Sequence, residues 1–256
     1  MLALTSEQIG GWISSFLLPL FRIGAMLMVM PVVGTQLVPR RIRLYFSVAF
    51  TVALVPVLPQ MPQVDALSVQ AIILIAEQIL IGVLLGLVLQ LMFHIFVFAG
   101  QLISMQMGLG FASMMDPATG VSIPLLGQFL LMLITLLFLA VNGHLVAFEI
   151  MAESFTTLPV GQALDVANYP VFVGRLSWVI GAALLMSLPA VSSLLVINIA
   201  FGVMTRAAPQ LNIFTIGFPL TLVMGMIIFW ISTAEILTHF QVVTTEALNL
   251  MRAFTQ

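Results

Sequence analysis

The feature that most constrains the fold is an apolar run at residues 69–104. Its 36 residues include only two side chains that can carry a charge, Glu77 and His94. A straight helix of that length would reach about 54 Å, at a rise of about 1.5 Å per residue. Because the hydrocarbon core of a bilayer is only about 30 Å thick, the run does not fit one simple span. We therefore predict a helix that protrudes into a larger assembly, a steeply tilted helix, or a bent pair.

Five more apolar runs of helical length occur in the chain. Of the 256 residues, 62% are hydrophobic and 6% are charged, whereas soluble domains average about 25% charged residues. The sequence therefore predicts an all-α integral membrane protein with six nominal apolar helical regions. In chain order these regions are residues 8–30, 42–58, 69–104, 125–147, 171–204 and 213–233.

Proline and glycine residues subdivide these regions. Pro19 lies inside the first region, where a missing backbone hydrogen bond predicts a kink, and Pro189 is expected to break the fifth. Gly82 and Gly86 are four residues apart in the third region, a spacing that favours close approach of another helix. After the sixth region, residues 235–256 carry apolar side chains at helical spacing. They predict an amphipathic tail that lies on the membrane surface or packs on a partner.

Three ionisable residues inside the apolar regions are candidate functional sites. Such residues are costly within a membrane, so they mark functional sites or paired charges by default. Arg22, in the first region, predicts such a site or pair, or a side chain that reaches the interface. Glu77 and His94, in the third region, predict either proton-relay groups or residues that hydrogen-bond a neighbouring helix.

The remaining charges of the chain are few and indicate a membrane topology rather than a polar ligand. Arg40, Arg41 and Arg43 form the basic cluster of the chain. By the positive-inside rule the segment that carries them should face the cytoplasm. The formal net charge of −2 is too small to imply binding to nucleic acid.

No pattern typical of catalysis or cofactor binding is present. The sequence lacks G-x-S-x-G, H-E-x-x-H, G-x-G-x-x-G and the Walker A loop. It contains no lysine for a Schiff base and no cysteine for thiolate chemistry, disulfides or metal binding. We therefore predict a protein that is not an enzyme and that holds no metal or cofactor.

The segment at residues 101–124 combines flexible and sulfur-containing residues between two apolar regions. A bilayer tolerates irregular backbone only where protein or a water-filled cavity satisfies its polar groups. Methionine side chains repack around varied shapes, and a hydrophobic constriction closes to ions by dewetting. The composition predicts either a plug that seals a pore or a re-entrant loop that merely packs. The residues that would form the plug are Met105, Met107, Gly108, Gly110, Phe111, Met114 and Met115.

Several motifs of the chain also carry a family resemblance. They are GQLISMQMGLGFA at residues 100–112 with Asp116 and Pro117 after it, NGHL at 142–145, TLPVG at 157–161, APQLNIF at 208–214 and IGFPL at 216–220. In this order they resemble the FliR family, whose members are components of the flagellar type III export gate. The resemblance covers nearly the whole chain.

The resemblance implies a non-enzymatic subunit of that gate in the bacterial inner membrane, within the flagellar basal body. FliR proteins assemble with FliP and FliQ, work with FlhB and FlhA, and help to form the channel for unfolded flagellar subunits. The implied fold is a set of bent helical hairpins that builds into a helical export-gate assembly. It would be a single domain over residues 1–256, with the N-terminal helices and the plug loop in 1–165 and a hairpin and the amphipathic tail in 166–256.

The resemblance also implies a role for the loop. In the family the segment that matches Met105 to Pro117 projects into the channel and helps to close it. Phe111 matches a gating phenylalanine, whereas Met114 stands where relatives can carry another phenylalanine. Apart from the protein partners and the substrates in transit, membrane lipid is the expected surrounding of the chain.

A stand-alone secondary transporter with broken helices is the alternative function. Such transporters bind their substrate near the bilayer midplane, where discontinuous helices supply the ligands. Pro19 and Pro189 provide interruptions, but no paired polar ligands accompany them in the sequence.

Overall fold

The computed structural model describes residues 6–62, 64, 68–109, 113–115, 122–162, 168–207 and 217–255. Eight α-helices hold most of these residues: α1 Ser6–Val29, α2 Arg40–Leu54, α3 Val69–Gln106, α4 Leu125–Ala140, α5 Gly143–Thr157, α6 Asn168–Ala207, α7 Phe218–Ser232 and α8 Ile236–Thr255. A single helical turn, Thr233–Glu235, joins α7 to α8. Two short strands, β1 Ser113–Met115 and β2 Ser122–Pro124, complete the described elements.

Three helices in the described part of the chain are long and apolar enough to cross a membrane. They are Val69–Gln106, Gly174–Ala207 and Phe218–Thr255. A fourth span is obtained if α4 and α5 count as one bent segment. The predicted all-α membrane protein is thus confirmed, and the residues that the structure describes contain three or four candidate spans where the sequence predicted six nominal apolar regions.

The apolar run at residues 69–104 forms one continuous helix. α3 has 38 residues and extends two residues beyond the predicted end of the run. The bent pair is therefore excluded, and a protruding or steeply tilted helix is left. Its glycines are not breaks, because they lie where other helices approach its backbone.

The fourth apolar region does not form the single helix predicted for residues 125–147. α4 ends at Ala140 and α5 begins at Gly143, with a bend of 67° at the break. Asn142 has φ of 57°, in the left-handed region that asparagine adopts more readily than most residues. A Cβ at Gly143 would lie 2.5 Å from the ring of Phe138, so a larger residue would force that ring to move. The residues Asn142 and Gly143 thus create the break.

Pro189 does not break the fifth apolar region, contrary to the prediction. α6 runs without interruption over 40 residues with Pro189 inside it. The hydroxyls of Ser192 and Ser193 donate to the carbonyl oxygen of Pro189 at 3.1 and 2.7 Å. In apolar surroundings a helix retains its remaining backbone hydrogen bonds, because no water is present to replace them.

The tail forms the predicted helix, α8, but its apolar side is buried within the chain. Ile236, Phe240, Val243 and Met251 are buried, whereas Leu237 is exposed. The prediction that this side faces the membrane surface or a partner was therefore wrong for most of its residues. The apolar stripe contributes to the core of the protein itself.

The chain divides into two compact units, each assembled from separate stretches of sequence. The first unit contains Met1–Leu91, Phe138–Val173 and Glu246–Gln256, and the second contains Met92–Leu137 and Gly174–Thr245. In the first unit α1 packs against α3, where a Cβ at Gly82 would overlap the backbone oxygen of Arg22. In the second unit the ring of Phe96 lies 6.4 Å from that of Phe240, and the rings of Phe129 and Phe229 lie 5.9 Å apart.

Candidate functional site

The base of the central loop lies at the end of α3, in the second unit. Gly108 has φ of 82°, a left-handed conformation that glycine adopts without a steric penalty. Met107 is completely buried, whereas Met105 is 62% exposed. The methionines of the loop are therefore not equivalent, because one is held inside the protein and another is not.

Residues of α6 and α7 fix the position of this base. A Cβ at Gly225 of α7 would lie 2.5 Å from Cγ of Met107, so the methionine side chain rests directly on the backbone of α7. A Cβ at Gly108 would lie 2.9 Å from the ring of Phe218. Asn198 of α6 donates from Nδ2 to the backbone oxygen of Gln106 at 3.3 Å. The chain therefore leaves α3 at a fixed point.

Two short strands lie further along the loop. β1 and β2 pair antiparallel, with Met114 opposite Ile123 and Met115 opposite Ser122. Strand pairing gives hydrogen-bond partners to backbone N–H and C=O groups that would lack them in irregular structure. In an apolar environment every such group needs a partner, and the strand pair provides some of them. Four predicted plug residues, Gly110, Phe111, Asp116 and Pro117, lie outside the described residues.

The two helices that flank the loop approach each other closely. A Cβ at Gly100 of α3 would lie 2.7 Å from Cα of Gly127 in α4. Facing small residues allow helix backbones to come into contact in this way. Ser104, one turn after Gly100, is completely buried, and its hydroxyl has no hydrogen-bond partner in the described part of the chain. The loop thus begins and ends at a closely packed helix pair.

Arg22 is completely buried in the first unit, where neutral oxygen atoms surround its guanidinium group. Nε donates to Oε1 of Gln78 at 2.7 Å. Nη1 donates to the backbone oxygen and the hydroxyl of Ser154 at 2.8 and 3.1 Å, and Nη2 donates to the backbone oxygen of Leu158 at 3.0 Å. The guanidinium also lies over the ring of Phe155, 4.3 Å from its centroid.

These contacts place a positive charge at the C-terminal end of α5. The last carbonyl groups of a helix have no partner within the helix, and their partial negative charge stabilises a nearby cation. The guanidinium group suits this position because its fork of five N–H donors can bind several acceptors at once. Arg22 therefore joins α1, α3 and the end of α5, and it does not reach an interface.

Glu77 and His94 do not take part in this arrangement. Oε2 of Glu77 is buried and has no hydrogen-bond partner among the described residues. The ring of His94 stacks on that of Phe98, with the centroids 5.9 Å apart and the planes inclined by 26°. Glu77 belongs to the first unit and His94 to the second. A proton-relay role for either residue stays a prediction.

Sequence reasoning missed the residues that surround Arg22 and Met107. Gln78, directly after Glu77, is the polar residue of α3 that binds Arg22, and the end of α5 supplies the other acceptors. The signal was present, because a buried arginine needs several acceptors and a helix end provides them. Gly225 is likewise a lone glycine in an apolar helix, which indicates close packing at that position.

Comparisons with known proteins extend over both units and the loop. The family model "Bacterial export proteins, family 1" matches residues 13–247. The flagellar biosynthetic protein FliR of Escherichia coli (strain K12) is 39% identical over 227 residues, which cover 88% of this chain and 87% of that protein. The FliR proteins of Aquifex aeolicus and Bacillus subtilis are 31% and 30% identical over 242 residues, 93% of this chain, and the matches cover 92% and 93% of those proteins.

Proposed function

The chain belongs to family 1 of the bacterial export proteins, the family of FliR, and on this premise we propose that it is a non-enzymatic subunit of the flagellar type III protein export gate. The gate lies in the bacterial inner membrane, within the flagellar basal body, and unfolded flagellar subunits cross the membrane through its channel. The observation that carries the proposal is the extent of the family match, residues 13–247, which includes the loop and its supports.

The surface of α6 supports a position inside a larger membrane assembly. With 40 residues, α6 is about 60 Å long at a rise of about 1.5 Å per residue, about twice the thickness of a bilayer core of about 30 Å. Large exposed apolar side chains extend along most of it: Leu176, Ile180, Leu184, Leu185, Leu188, Leu195, Val196, Ile199, Val203 and Met204. Neighbouring subunits would cover the part of this surface that the bilayer does not reach.

The neighbours in this proposal are the other components of the gate. FliP and FliQ form the core of the gate together with this chain, FlhB and FlhA work with that core, and lipid surrounds it. The exposed apolar surface of α7 adds to the area available for such contacts, with Val223, Ile227 and Trp230 as examples.

The central loop is the part of the subunit that seals the channel. Its base is held by Gly225, Phe218 and Asn198, so the seal starts from a fixed point at the end of α3. A seal of methionine, glycine and phenylalanine side chains closes to ions by dewetting and yields to a passing polypeptide without a charged gate. The residues assigned to the seal are Met105, Met107, Gly108, Gly110, Phe111, Met114, Met115, Asp116 and Pro117, with Met107 and Gly108 as the anchor.

Co-expression with FliP and FliQ tests the assignment to the gate. The proteins are purified together in mild detergent, and native mass spectrometry determines the mass and composition of the product. We expect a discrete complex with one or a few copies of this chain among several copies of the smaller partners. The chain expressed alone is the control. A monomer or homodimer that binds neither FliP nor FliQ would contradict the proposal and favour a stand-alone secondary transporter.

A further inference from the structure

α2 presents its polar side chains to the protein and its large apolar side chains to the outside. Ser47 and Thr51 are buried, and their hydroxyls donate to the backbone oxygens four residues earlier, both at 2.7 Å. Ser47 packs beside Gly24 of α1, where an added Cβ would lie 3.8 Å from the hydroxyl oxygen. The ring of Phe50 packs 5.0 Å from that of Phe148 in α5. The inner side of α2 is therefore occupied by contacts with α1 and α5 in the first unit.

The outer side of α2 is a continuous apolar surface. Tyr45 is 69% exposed and Val52 is 58% exposed, and Ile42 and Leu44 are exposed as well. Contiguous exposed apolar surface marks a site of interaction rather than contact with water. Apart from the hydroxyl of Tyr45, the exposed residues between Ile42 and Ala53 offer no side-chain hydrogen-bonding group. A protein interface typically carries a polar rim with about one hydrogen bond per 100–200 Å², so this surface is better suited to lipid.

Contacts within the described part of the protein do not account for the presence of the two arginines at the beginning of α2. Arg40 and Arg41 are exposed, and neither forms an ion pair within the described part of the chain. No acidic residue occurs between Glu7 and Asp65 in the sequence. The positive end of the helix dipole lies at the N-terminus, where cations are unfavourable. Within the described part of the chain these arginines therefore have no anionic partner, and they are available to an anion from outside the chain.

The arginines and the apolar surface follow one another along one side of the helix. Arg41, Tyr45 and Val52 lie at positions i, i+4 and i+11, which share a face. At about 1.5 Å per residue, Val52 lies about 16 Å beyond Arg41, about half of a bilayer core of about 30 Å. The order of side chains along this face therefore matches the polarity gradient of one lipid leaflet. A charged group comes first, an aromatic ring with a hydroxyl follows, and an aliphatic side chain comes last. Tyrosine is enriched at the headgroup level of membranes.

We propose that α2 is a binding surface for anionic phospholipid, in which Arg40 and Arg41 bind the headgroup phosphate and the outer side of the helix contacts the acyl chains. Guanidinium groups bind phosphate through paired N–H donors, and basic residues beside a membrane segment attract anionic lipid. Arg43 is held within the protein, since its Nη1 donates to the backbone oxygen of Gly34 at 3.3 Å. This inference does not depend on the proposed export function.

Lipid retention by the full chain tests the headgroup contact. The protein is reconstituted in nanodiscs of equal parts phosphatidylglycerol and phosphatidylcholine, and native mass spectrometry counts the lipids that remain bound. We expect an excess of retained phosphatidylglycerol that falls about fivefold with each of Arg40→Gln and Arg41→Gln, and that the Arg40→Lys and Arg41→Lys variants retain most of it. Arg252→Gln is the matched control, because the guanidinium group of Arg252 already pairs with the carboxylate of Glu153, and this variant should leave the excess unchanged.

The absence of cysteine from the chain allows a second, independent test. Single cysteines at Arg41, Tyr45, Ser47 and Val52 are spin-labelled in the same nanodiscs, and relaxation by oxygen and by a water-soluble nickel complex reports depth. We expect contact with oxygen to increase from position 41 to 45 to 52, with position 47 shielded from both agents. An unchanged phosphatidylglycerol excess in Arg40→Gln/Arg41→Gln, an equal loss in Arg252→Gln, or full exposure of positions 45 and 52 to the nickel complex would overturn the proposal.

Discussion

The guanidinium group of Arg22 donates a hydrogen bond of 2.7 Å to the side-chain oxygen of Gln78, and no carboxylate pairs with it in the described part of the chain. A completely buried cation is thus held by neutral groups alone: the amide of Gln78, the oxygen atoms of Ser154 and Leu158, and the ring of Phe155. Because a buried charge is costly unless it is fully hydrogen-bonded, every one of these contacts contributes to the stability of the first unit.

Replacement of Arg22 should therefore destabilise the protein strongly. Arg22→Ala leaves the amide oxygen and the carbonyl groups without donors, and each buried unsatisfied group costs about 1–3 kcal/mol. We expect the free energy of unfolding to fall by at least about 3 kcal/mol, as measured by chemical denaturation in detergent micelles. Arg22→Lys should retain only part of the stability that Arg22→Ala loses, because an ammonium group lacks the planar fork of donors.

Arg252 provides the matched control for this prediction. Its Nε lies 3.5 Å from Oε2 of Glu153, and both side chains are more than two-fifths exposed. Exposed ion pairs contribute about 0–1 kcal/mol, so Arg252→Ala should change stability little. Equal losses in Arg22→Ala and Arg252→Ala would show that the buried hydrogen bonds are not the source of the stability.

The close approach of α1 and α3 predicts a strong effect at Gly82. A Cβ there would overlap the backbone oxygen of Arg22, and a backbone atom cannot move aside as a flexible side chain can. We expect Gly82→Ala to lower the free energy of unfolding by about 1–3 kcal/mol through overpacking. At Gly181 of α6 no atom lies within 4 Å of an added Cβ. Gly181→Ala should therefore raise the free energy of unfolding by up to about 1 kcal/mol. A gain in both variants would contradict the observed helix contact.

The contact between Met107 and Gly225 at the base of the loop can be tested by making Met107 smaller and Gly225 larger. Met107→Ala leaves a cavity and should cost about 2–5 kcal/mol, and Gly225→Ala forces a methyl group against Met107 and should cost about 1–3 kcal/mol. In the double variant the new methyl group occupies part of the emptied space. We therefore expect the double variant to lose at least about 1 kcal/mol less than the sum of the two single losses. Additive losses would mean that the two residues are not in contact.

Much of the fold followed from the sequence because apolar periodicity and length depend on local chemistry. The long uncharged run predicted α3, and the glycine spacing predicted a close helix contact at Gly82. The interruptions were assigned less well. Pro189 was expected to break a helix that continues through it, whereas the actual break is at Asn142 and Gly143. Proline lowers helix stability by a local penalty, but in an apolar environment the loss of the other backbone hydrogen bonds would cost more.

The candidate sites were predictable only as single residues. Arg22 stood out because a charge in an apolar run is rare, but its partners are 56, 132 and 136 residues away in sequence. Met107 belonged to a methionine-rich loop, and nothing in its local sequence distinguished the buried Met107 from the exposed Met105. Contacts over such separations depend on the tertiary fold, which the local sequence around each residue does not reveal.

Ion conductance of the membrane after removal of the loop tests the central claim most directly. Residues 110–114 are deleted, and conductance is recorded alongside secretion of flagellar subunits in cells that assemble the gate. An equally long deletion of residues 163–167, between α5 and α6, is the control. If the loop seals the channel, deletion of 110–114 should increase ion leakage while secretion persists or becomes less selective, and the control should not leak. Unchanged conductance in a correctly assembled gate that lacks residues 110–114 would contradict the account.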